Sequence, residues 1–245
     1  ADIAAAGYDP SSHRAFLVDW FSGTHAWSNA RGARFGENLR TGDARIAGSL
    51  ASLIGLEAAI NEEDSDAVDL AIDRILLMHS VLMSFGGIPW LYYGDELGTL
   101  NDWSFQSDPH KSNDTRWVNR PRLTDQDRDE RCVHGSVTER IFRGIQHLIA
   151  VRKTVSAFAD HNNRLMVDTA DEHLLAYLRT GPIDCPDPVL VVVNVSPDPR
   201  QLDLGAISAI GRTGVSLSRD LITGRAMSMD KTLDVPGASA LWLAR

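Results

Sequence analysis

Cysteine is scarce in this chain, with only Cys132 and Cys185 among 245 residues. The two cysteines lie far apart in sequence and match no metal-binding or redox spacing. A disulfide framework is therefore not indicated, and we expect two unpaired thiols in a reducing compartment.

Long apolar runs are also missing. No stretch approaches the ~20 apolar residues that a membrane-spanning helix needs. Residues 1–6 lack the basic and apolar regions of a secretory signal. We therefore predict a soluble, cytoplasmic protein that has no membrane partner. Because the chain begins with Ala1 rather than Met, we expect an upstream portion.

Basic residues are outnumbered, with 24 Lys and Arg against 33 Asp and Glu, and the formal net charge is −9. Nucleic acids and anionic membranes attract basic surfaces, so neither is an expected partner. Neutral substrates, sugars among them, are compatible with this charge. The hydrophobic fraction of 43% is sufficient for a packed core.

Common catalytic motifs are absent. The sequence has no G-x-S-x-G elbow, no P-loop, no dinucleotide-binding glycine fingerprint and no H-E-x-x-H. Its eight histidines are scattered without metal-ligand spacing. We therefore predict no metal site.

The most informative segment is residues 86–96, where a Gly-Gly break, a short apolar run and an Asp-Glu pair follow one another. A short apolar run bounded by glycine is typical of a strand buried on both faces of a parallel sheet or barrel. In a (β/α)8 barrel, polar residues at the end of a strand lie on the face that carries the active site. We therefore predict a barrel strand that ends at an active-site rim.

Two acids close this segment, Asp95 and Glu96. In an extended chain, adjacent side chains point to opposite faces, so the two cannot readily form the closely spaced carboxylate pair of a glycosidase. We interpret them as framework acids at the rim.

Helical periodicity is clearest over residues 64–85, where His79 falls in the apolar stripe and is expected to be a buried, hydrogen-bonded histidine. Residues 136–139 form a capping-box pattern and start a helix that ends near Lys153. The first 60 residues predict short helices, over 11–21 and about 44–60, joined by a glycine-rich loop.

The hydrophobic period changes after about residue 158. Short strand-like runs, punctuated by Gly, Pro, Asp and Ser, predict an antiparallel β-sandwich. These runs lie at residues 174–178, 189–195, 201–204 and 215–217 and around residues 241–243.

The long segment of residues 99–135 has no regular period, yet Trp103, Phe105 and Trp117 indicate order. Arginine offers a fork of donors for carboxylates or sugar hydroxyls, and tryptophan offers a flat face for a pyranose ring. A solvated loop with surface ion pairs explains the same composition. The charged and aromatic set consists of Asp102, Asp108, Lys111, Asp114, Arg116, Trp117 and Arg120.

A family resemblance adds to these patterns. Residues 86–96 resemble the eighth-strand motif of the α-amylase superfamily, glycoside hydrolase family 13. The continuation is more specific and is similar to the amylosucrases. It comprises residues 98–102 (GTLND), 111–112 (KS), 114–117 (DTRW) and 120–121 (RP). Residues 7–9 with Arg14, 41–45 with Gly48, 149–152 and 241–243 also fit the amylosucrase pattern.

The resemblance implies the C-terminal portion of a (β/α)8 TIM barrel with a helical insertion, followed by an antiparallel β-sandwich. The expected divisions are a helical insertion after barrel strand seven (1–62), then barrel helix seven, strand eight, an active-site loop and helix eight (63–157), then the β-sandwich (158–245).

The resemblance also implies an activity, the retaining transfer of glucose from sucrose to an α-1,4-glucan with release of fructose. Sucrose and maltooligosaccharides are then the partners, and no metal or organic cofactor is implied. Arg116 would lie at the floor of the glucose pocket, paired with an aspartate from an early barrel loop. Arg45 would contact the fructosyl or acceptor site, and Arg14 a more distant acceptor subsite.

No catalytic residue is assigned to this chain. In amylosucrases the nucleophilic aspartate, the acid/base glutamate and the stabilising aspartate follow strands four, five and seven, the last within a His-Asp-Asp motif. This sequence contains no His-Asp-Asp. We therefore expect all three carboxylates to lie upstream, and the chain alone to be inactive.

Two alternatives remain open at this stage. The chain could be a non-catalytic module that binds glucan or a partner, or part of a sister enzyme such as a sucrose hydrolase or a trehalose synthase.

A single barrel strand, as predicted for residues 86–96, leaves unpaired edges. We therefore expect a second copy in a homo-oligomer, or the N-terminal portion of the same protein, to assist the fold.

Overall fold

The computed structural model describes residues 2–181, 188–205, 217–228 and 231–245. Cys185 and most of the strand predicted at 215–217 lie outside this part of the chain. The chain divides into two compact units: residues 1–72 with 92–139, and residues 73–91 with 140–245.

Helices form much of the first unit. Helix α2 begins where the Asp9 carboxylate accepts a hydrogen bond from the Ser12 N–H at 2.7 Å, and it ends at Gly23 in the left-handed conformation. This confirms the helix predicted at 11–21. The helices are α1 Asp2–Ala5, α2 Pro10–Ser22, α3 Leu50–Ile54, α4 Leu56–Asn61, the start of α5 Ser65–Ser84, and α6 Asp125–Asp129.

A β-hairpin lies where the sequence predicted a loop followed by a helix. Strand β1 (Ala33–Asn38) pairs antiparallel with β2 (Asp43–Ala47), and the register shifts between Phe35 and Asn38. Gly36 and Gly42 have φ values of 60° and 68°, which suit a bulge and a turn. The prediction was wrong here because turn chemistry, rather than apolar periodicity, sets this pairing.

The long segment of residues 99–135 is ordered, as its aromatic residues indicated. It contains short 3-10 helices at Trp103–Ser107 and Thr115–Asn119. Phe105 and Val118 are buried with Ala33 and Ala47 of the hairpin, and Phe35, Trp103 and Trp117 pack against them. This cluster fixes the segment on the hairpin.

The barrel strand predicted in residues 86–96 is not observed. Among the described residues, no strand includes 88–93 and no barrel is formed. Ile88 and Trp90 are 71% and 81% exposed rather than buried. A strand is stabilised by the ladder on its edges, and none of the described strands pairs with this segment.

The second unit is built on an antiparallel sheet in the order β3-β4-β5-β9-β7, with a separate pair β6-β8. The predicted runs at 174–178, 189–195, 201–204 and 241–243 correspond to strands. The strands are β3 Arg164–Val167, β4 Leu174–Arg179, β5 Val189–Asn194, β6 Arg200–Asp203, β7 Arg219–Asp220, β8 Thr232–Val235 and β9 Ser239–Ala244.

Both faces of the larger sheet are buried. Leu190 and Val192 of β5 pack with Leu202 and Leu233 from the smaller pair, as a sandwich requires. The alternate residues of β5 and β9, including Trp242, instead pack with residues from α5 and α7 Val137–Thr154. Helices therefore cover the face that a simple sandwich leaves to solvent.

The two long helices agree with their predictions. Ser136 Oγ accepts a hydrogen bond from the Glu139 N–H at 3.1 Å, so α7 starts where the capping box indicated. His79 in α5 is buried, and its Nδ1 lies 2.8 Å from the Ile75 carbonyl oxygen. The histidine is therefore a satisfied core residue.

The end of α5 belongs to the second unit and is held by arginines of that unit. Arg152, Arg164 and Arg179 donate to the carbonyl oxygens of Met83, Phe85 and Ser84, respectively. Cations stabilise the last carbonyls of a helix because these carry partial negative charge. Within the part of the chain that the structure describes, no helix is long and apolar enough to cross a membrane.

Candidate functional site

The arginines that the resemblance named are gathered on the β1–β2 hairpin of the first unit. Arg45 lies within β2, Arg14 projects from α2, and Arg116 lies in the 3-10 helix of residues 115–119. Although they are far apart in sequence, all three contact or belong to one small element. The hairpin that sequence analysis missed is what brings them together.

Phe35 connects Arg45 with Arg116. It stands directly opposite Arg45 in the β1–β2 ladder, and residues that are directly opposite share a face of the hairpin. The Arg116 guanidinium carbon lies 6.0 Å from the centre of the Phe35 ring, within cation–π range. No carboxylate of the described residues pairs with Arg45, so its donors are available.

Arg14 reaches the same strand through an ion pair. Its Nη1 lies 3.2 Å from Oδ2 of Asp43, and both side chains are substantially exposed. Asp43 stands two residues before Arg45 in β2, so the two project from the same face of the strand. An exposed pair of this kind orients the arginine more than it stabilises the fold.

The carboxylate of Asp114 holds Arg116. Oδ1 accepts hydrogen bonds from the Arg116 backbone N–H at 3.0 Å and from Nε at 2.9 Å, and Oδ2 accepts from Nη2 at 2.9 Å. The bonds from the Arg116 side chain, and then from its backbone, hold the pKa of Asp114 below its ordinary value of 3.8. The side-chain bonds to Asp114, and then the negative charge of its carboxylate, raise the pKa of Arg116.

A cleft of about 620 Å³ lies between β1 and the segment that carries Arg116. On the β1 side, Arg34 donates to Oδ1 of Asp19 at 2.6 Å and lies 3.7 Å from a carboxylate oxygen of Glu37. The cleft therefore combines one aromatic ring with hydrogen-bonding groups. Its walls are residues 34–37 and 113–116.

Both tryptophans of the long segment have contacts within the chain. The Trp117 ring lies 5.2 Å from Lys111 Nζ and 5.5 Å from the Arg120 guanidinium carbon. Trp103 packs in the aromatic cluster and donates from Nε1 to the buried Glu57 at 2.6 Å. The aromatic residue of the cleft is instead Phe35, which only the hairpin register could have identified.

Asp95 and Glu96 lie in a 3-10 helix, Asp95–Leu97. Glu96 Oε2 accepts a hydrogen bond from the Gly94 N–H at 2.9 Å, and this bond braces the turn. Over the described ranges, no group of three or more His, Cys, Asp or Glu residues could hold a metal ion.

Comparison with known proteins identifies a related fold. No protein-family model matches the sequence. The structure is similar to that of a single-residue variant of AmyP in complex with maltotriose, with a TM-score of 0.57 and 16% identity over 79% of this chain and 38% of that one.

Two other solved structures are similar over less of the chain. A debranching enzyme from Nostoc punctiforme, soaked with acarbose, has a TM-score of 0.49 and 15% identity over 74% of this chain and 30% of its own. The trehalulose synthase MutB from Pseudomonas mesoacidophila MX-45 has a TM-score of 0.48 and 15% identity over 71% of this chain and 38% of its own.

All three solved structures are α-amylase-family enzymes. The chain spans less than two fifths of the length of each. At 16% identity, the likeness to AmyP shows that this chain shares its fold with part of that protein.

Proposed function

We propose that this chain is the C-terminal part of an amylosucrase-like glucosyltransferase of the α-amylase family. The parent enzyme transfers a glucosyl unit from sucrose to an α-1,4-glucan and releases fructose. The role of this chain is to bind the saccharide rather than to break the bond. The supporting observation is the convergence of Arg14, Arg45 and Arg116 on one hairpin.

The chemistry of the hairpin suits a sugar. Arg45 offers guanidinium donors that complement hydroxyl oxygens. Phe35 is half-buried beside a cleft large enough for a saccharide unit, and an aromatic ring packs on the apolar face of a pyranose. A net charge of −9 gives the chain no general attraction for anions, so a neutral ligand is favoured.

Double displacement needs a carboxylate nucleophile and a carboxylic acid about 5 Å apart. Asp95 and Glu96 are unsuitable, because they are adjacent in a 3-10 turn and Glu96 is used to brace it. We propose that the nucleophile, the acid/base and the stabilising aspartate come from sequence upstream of this chain.

Binding of maltotriose to the 245-residue chain tests the proposal. We expect saturable binding by isothermal titration calorimetry, weakened about tenfold by Arg45→Ala, since that factor corresponds to one hydrogen bond to a charged group. Arg225→Ala is the matched control, because Arg225 is an exposed arginine of the second unit. Binding that responds equally to both substitutions, or no binding, contradicts the proposal.

Product analysis distinguishes the alternatives. A polypeptide that includes the upstream sequence is incubated with sucrose and maltoheptaose. Elongated glucan with free fructose supports amylosucrase activity. Free glucose with fructose indicates a sucrose hydrolase. In a separate incubation with maltose alone, formation of trehalose indicates a trehalose synthase. Saccharide binding without turnover indicates a non-catalytic module.

A further inference from the structure

We infer that the free edge of strand β3 is an interface between two copies of this chain, which pair there as antiparallel strands across a two-fold axis. Strand β3 lies in the second unit, whereas the saccharide cleft lies in the first. The pairing therefore goes beyond the proposed function and does not depend on it.

Strand β3 is an edge strand with little protection against pairing. The sheet order places it at one end, and of the strands that the structure describes only β4 pairs with it. Leu165 and Met166 are 53% and 52% exposed. Edge strands that stay free are usually very short or carry lysine or proline. The opposite edge strand, β7, has only two residues, whereas β3 has four and contains neither lysine nor proline.

The backbone of β3 offers hydrogen-bonding groups to a further strand. The Thr180 N–H donates to the carbonyl oxygen of Asn163, which directly precedes β3. Because residues of an antiparallel ladder alternate in the direction of their backbone groups, those of Arg164 and Met166 point away from β4. The Arg164 N–H donates to the Asn162 carbonyl at 2.9 Å. The groups offered are therefore both of those on Met166 and the carbonyl of Arg164.

Symmetry restricts how a second copy can pair with this edge. Outward-pointing residues of one strand have to face outward-pointing residues of the other. A register centred on Met166 meets this condition, because Met166 then faces Met166 of the second copy. Arg164 faces Asp168, which directly follows β3 and shares the alternation of Arg164 and Met166. The two Met166 residues exchange their backbone bonds, and on each side the Asp168 N–H donates to the Arg164 carbonyl.

Charge favours this register over the neighbouring ones. Arg164, Met166 and Asp168 project from one face of the strand, and all three are exposed. A register shifted in either direction would place Arg164 or Asp168 opposite Met166, so that no opposite charges face each other. Opposite charges directly across two strands stabilise their pairing. Arg164 is already held in place, because its guanidinium carbon lies 4.3 Å from the centre of the Phe85 ring.

Disulfide trapping tests the register. Met166→Cys is made in a chain that also carries Cys132→Ser and Cys185→Ser, and it is oxidised with oxidised glutathione. Directly opposite residues of a hydrogen-bonded pair have Cα atoms about 5.5 Å apart, which a disulfide spans. We therefore expect a covalent dimer. Leu165→Cys is the matched control, because Leu165 is equally exposed but would lie diagonal to its counterpart at about 7–8 Å, beyond the reach of a disulfide.

Sedimentation velocity tests the pairing without a crosslink. We expect a reversible dimer whose fraction rises between micromolar and millimolar concentrations of the 245-residue chain. Met166→Lys places two ammonium groups face to face on the axis, and the dissociation constant should rise about tenfold or more. Val195→Lys is the control, because Val195 is 54% exposed and lies outside the described strands. It should leave the dissociation constant unchanged, and thermal melts show whether each variant is folded.

Several results would overturn the inference. These are a chain that stays monomeric at every concentration, Met166→Cys that forms no covalent dimer, and two cysteine variants that crosslink equally. A dimer that is unaffected by Met166→Lys would also contradict it, because that dimer uses another surface. Maltotriose binding, measured on the same samples, bears only on the proposed function, so the two can fail separately.

Discussion

The hydroxyl of Tyr177 lies 2.7 Å from Oγ of Ser84, and this hydrogen bond joins β4 to the last residue of α5. Tyr177 is fully buried. Burial raises its pKa from 10.0 to about 12, although the Ser84 bond and the positive charges of Arg179 and Arg164 act in the opposite direction.

This pKa shift predicts an alkaline loss of stability in the second unit. The folded state keeps Tyr177 neutral, so its contribution is complete below about pH 10, where the unfolded tyrosine is also neutral. It is lost as the pH rises from about 10 to about 12, because the unfolded state ionises first. A shift of about two pKa units corresponds to roughly 2–3 kcal/mol.

Denaturant titrations between about pH 9 and pH 12 check this prediction. Tyr177→Phe removes the ionisable group, so the free energy of unfolding of the variant should fall less over this range than that of the unsubstituted chain. Parallel curves for the two proteins would show that Tyr177 does not determine the alkaline limit.

Asp220 is predicted to be essential for the second unit. Its buried carboxylate accepts from the N–H groups of Ile222, Thr223 and Trp242 at 3.0–3.2 Å and from the Thr223 hydroxyl at 2.6 Å. Asp220→Ala leaves these donors buried without an acceptor, and we expect a loss of roughly 3 kcal/mol.

Urea unfolding measures this loss. Asp234→Asn is the control, because Asp234 lies in the neighbouring strand pair and its exposed carboxylate accepts a side-chain bond from Gln201 at 2.9 Å. A change within about 0.5 kcal/mol is expected there. Equal effects of the two substitutions would contradict the assigned role of Asp220.

The helices and strands that could be predicted from sequence are those in which the spacing of apolar residues determines the structure. Helix α5 has an apolar stripe over twenty residues, and residues 189–193 of β5 are an apolar run buried on both sides. In both cases a large apolar area is buried by one conformation only, so local sequence specifies the element.

The segments whose structure was predicted wrongly depend on contacts with residues distant in sequence, which a local pattern does not include. Residues 88–93 have the composition of a buried strand, but a strand requires a ladder partner. The hairpin is specified by glycines at a bulge and a turn, and its strands are only partly buried.

The site followed the same rule. Family resemblance named Arg14, Arg45 and Arg116, and the charged set of the long segment already included Asp114, which lies two residues from Arg116. The contribution of Phe35 depends on the register of the hairpin, which local sequence does not give.

Gly32 is predicted to be required for the packing of the hairpin. A Cβ at this position would lie 2.5 Å from the Phe21 carbonyl oxygen and 2.6 Å from a methyl carbon of Ile46. Gly32→Ala should therefore destabilise the first unit and weaken maltotriose binding together. We expect a loss of roughly 2 kcal/mol, in the range observed for overpacked cores.

Gly42→Ala separates crowding from backbone strain. Gly42 has a φ of 68° and no atom within 4 Å of its would-be Cβ, so only the left-handed conformation is penalised, at about 1 kcal/mol. Thermal melts should rank Gly32→Ala as the more damaging change. The reverse order would show that turn strain, rather than close packing, limits the hairpin.

Arg14 is predicted to affect the binding of long saccharides and not stability. Its pair with Asp43 is exposed, so Arg14→Ala should change the free energy of unfolding by less than about 0.5 kcal/mol. If Arg14 forms a distant acceptor subsite, the substitution weakens the binding of maltoheptaose and leaves maltotriose unaffected. Calorimetric titration of both ligands measures this ratio, and Arg45→Ala provides the contrast because it should weaken both. If Arg14→Ala leaves the ratio of the maltoheptaose and maltotriose affinities unchanged, Arg14 does not contact the saccharide and its role is limited to the ion pair with Asp43.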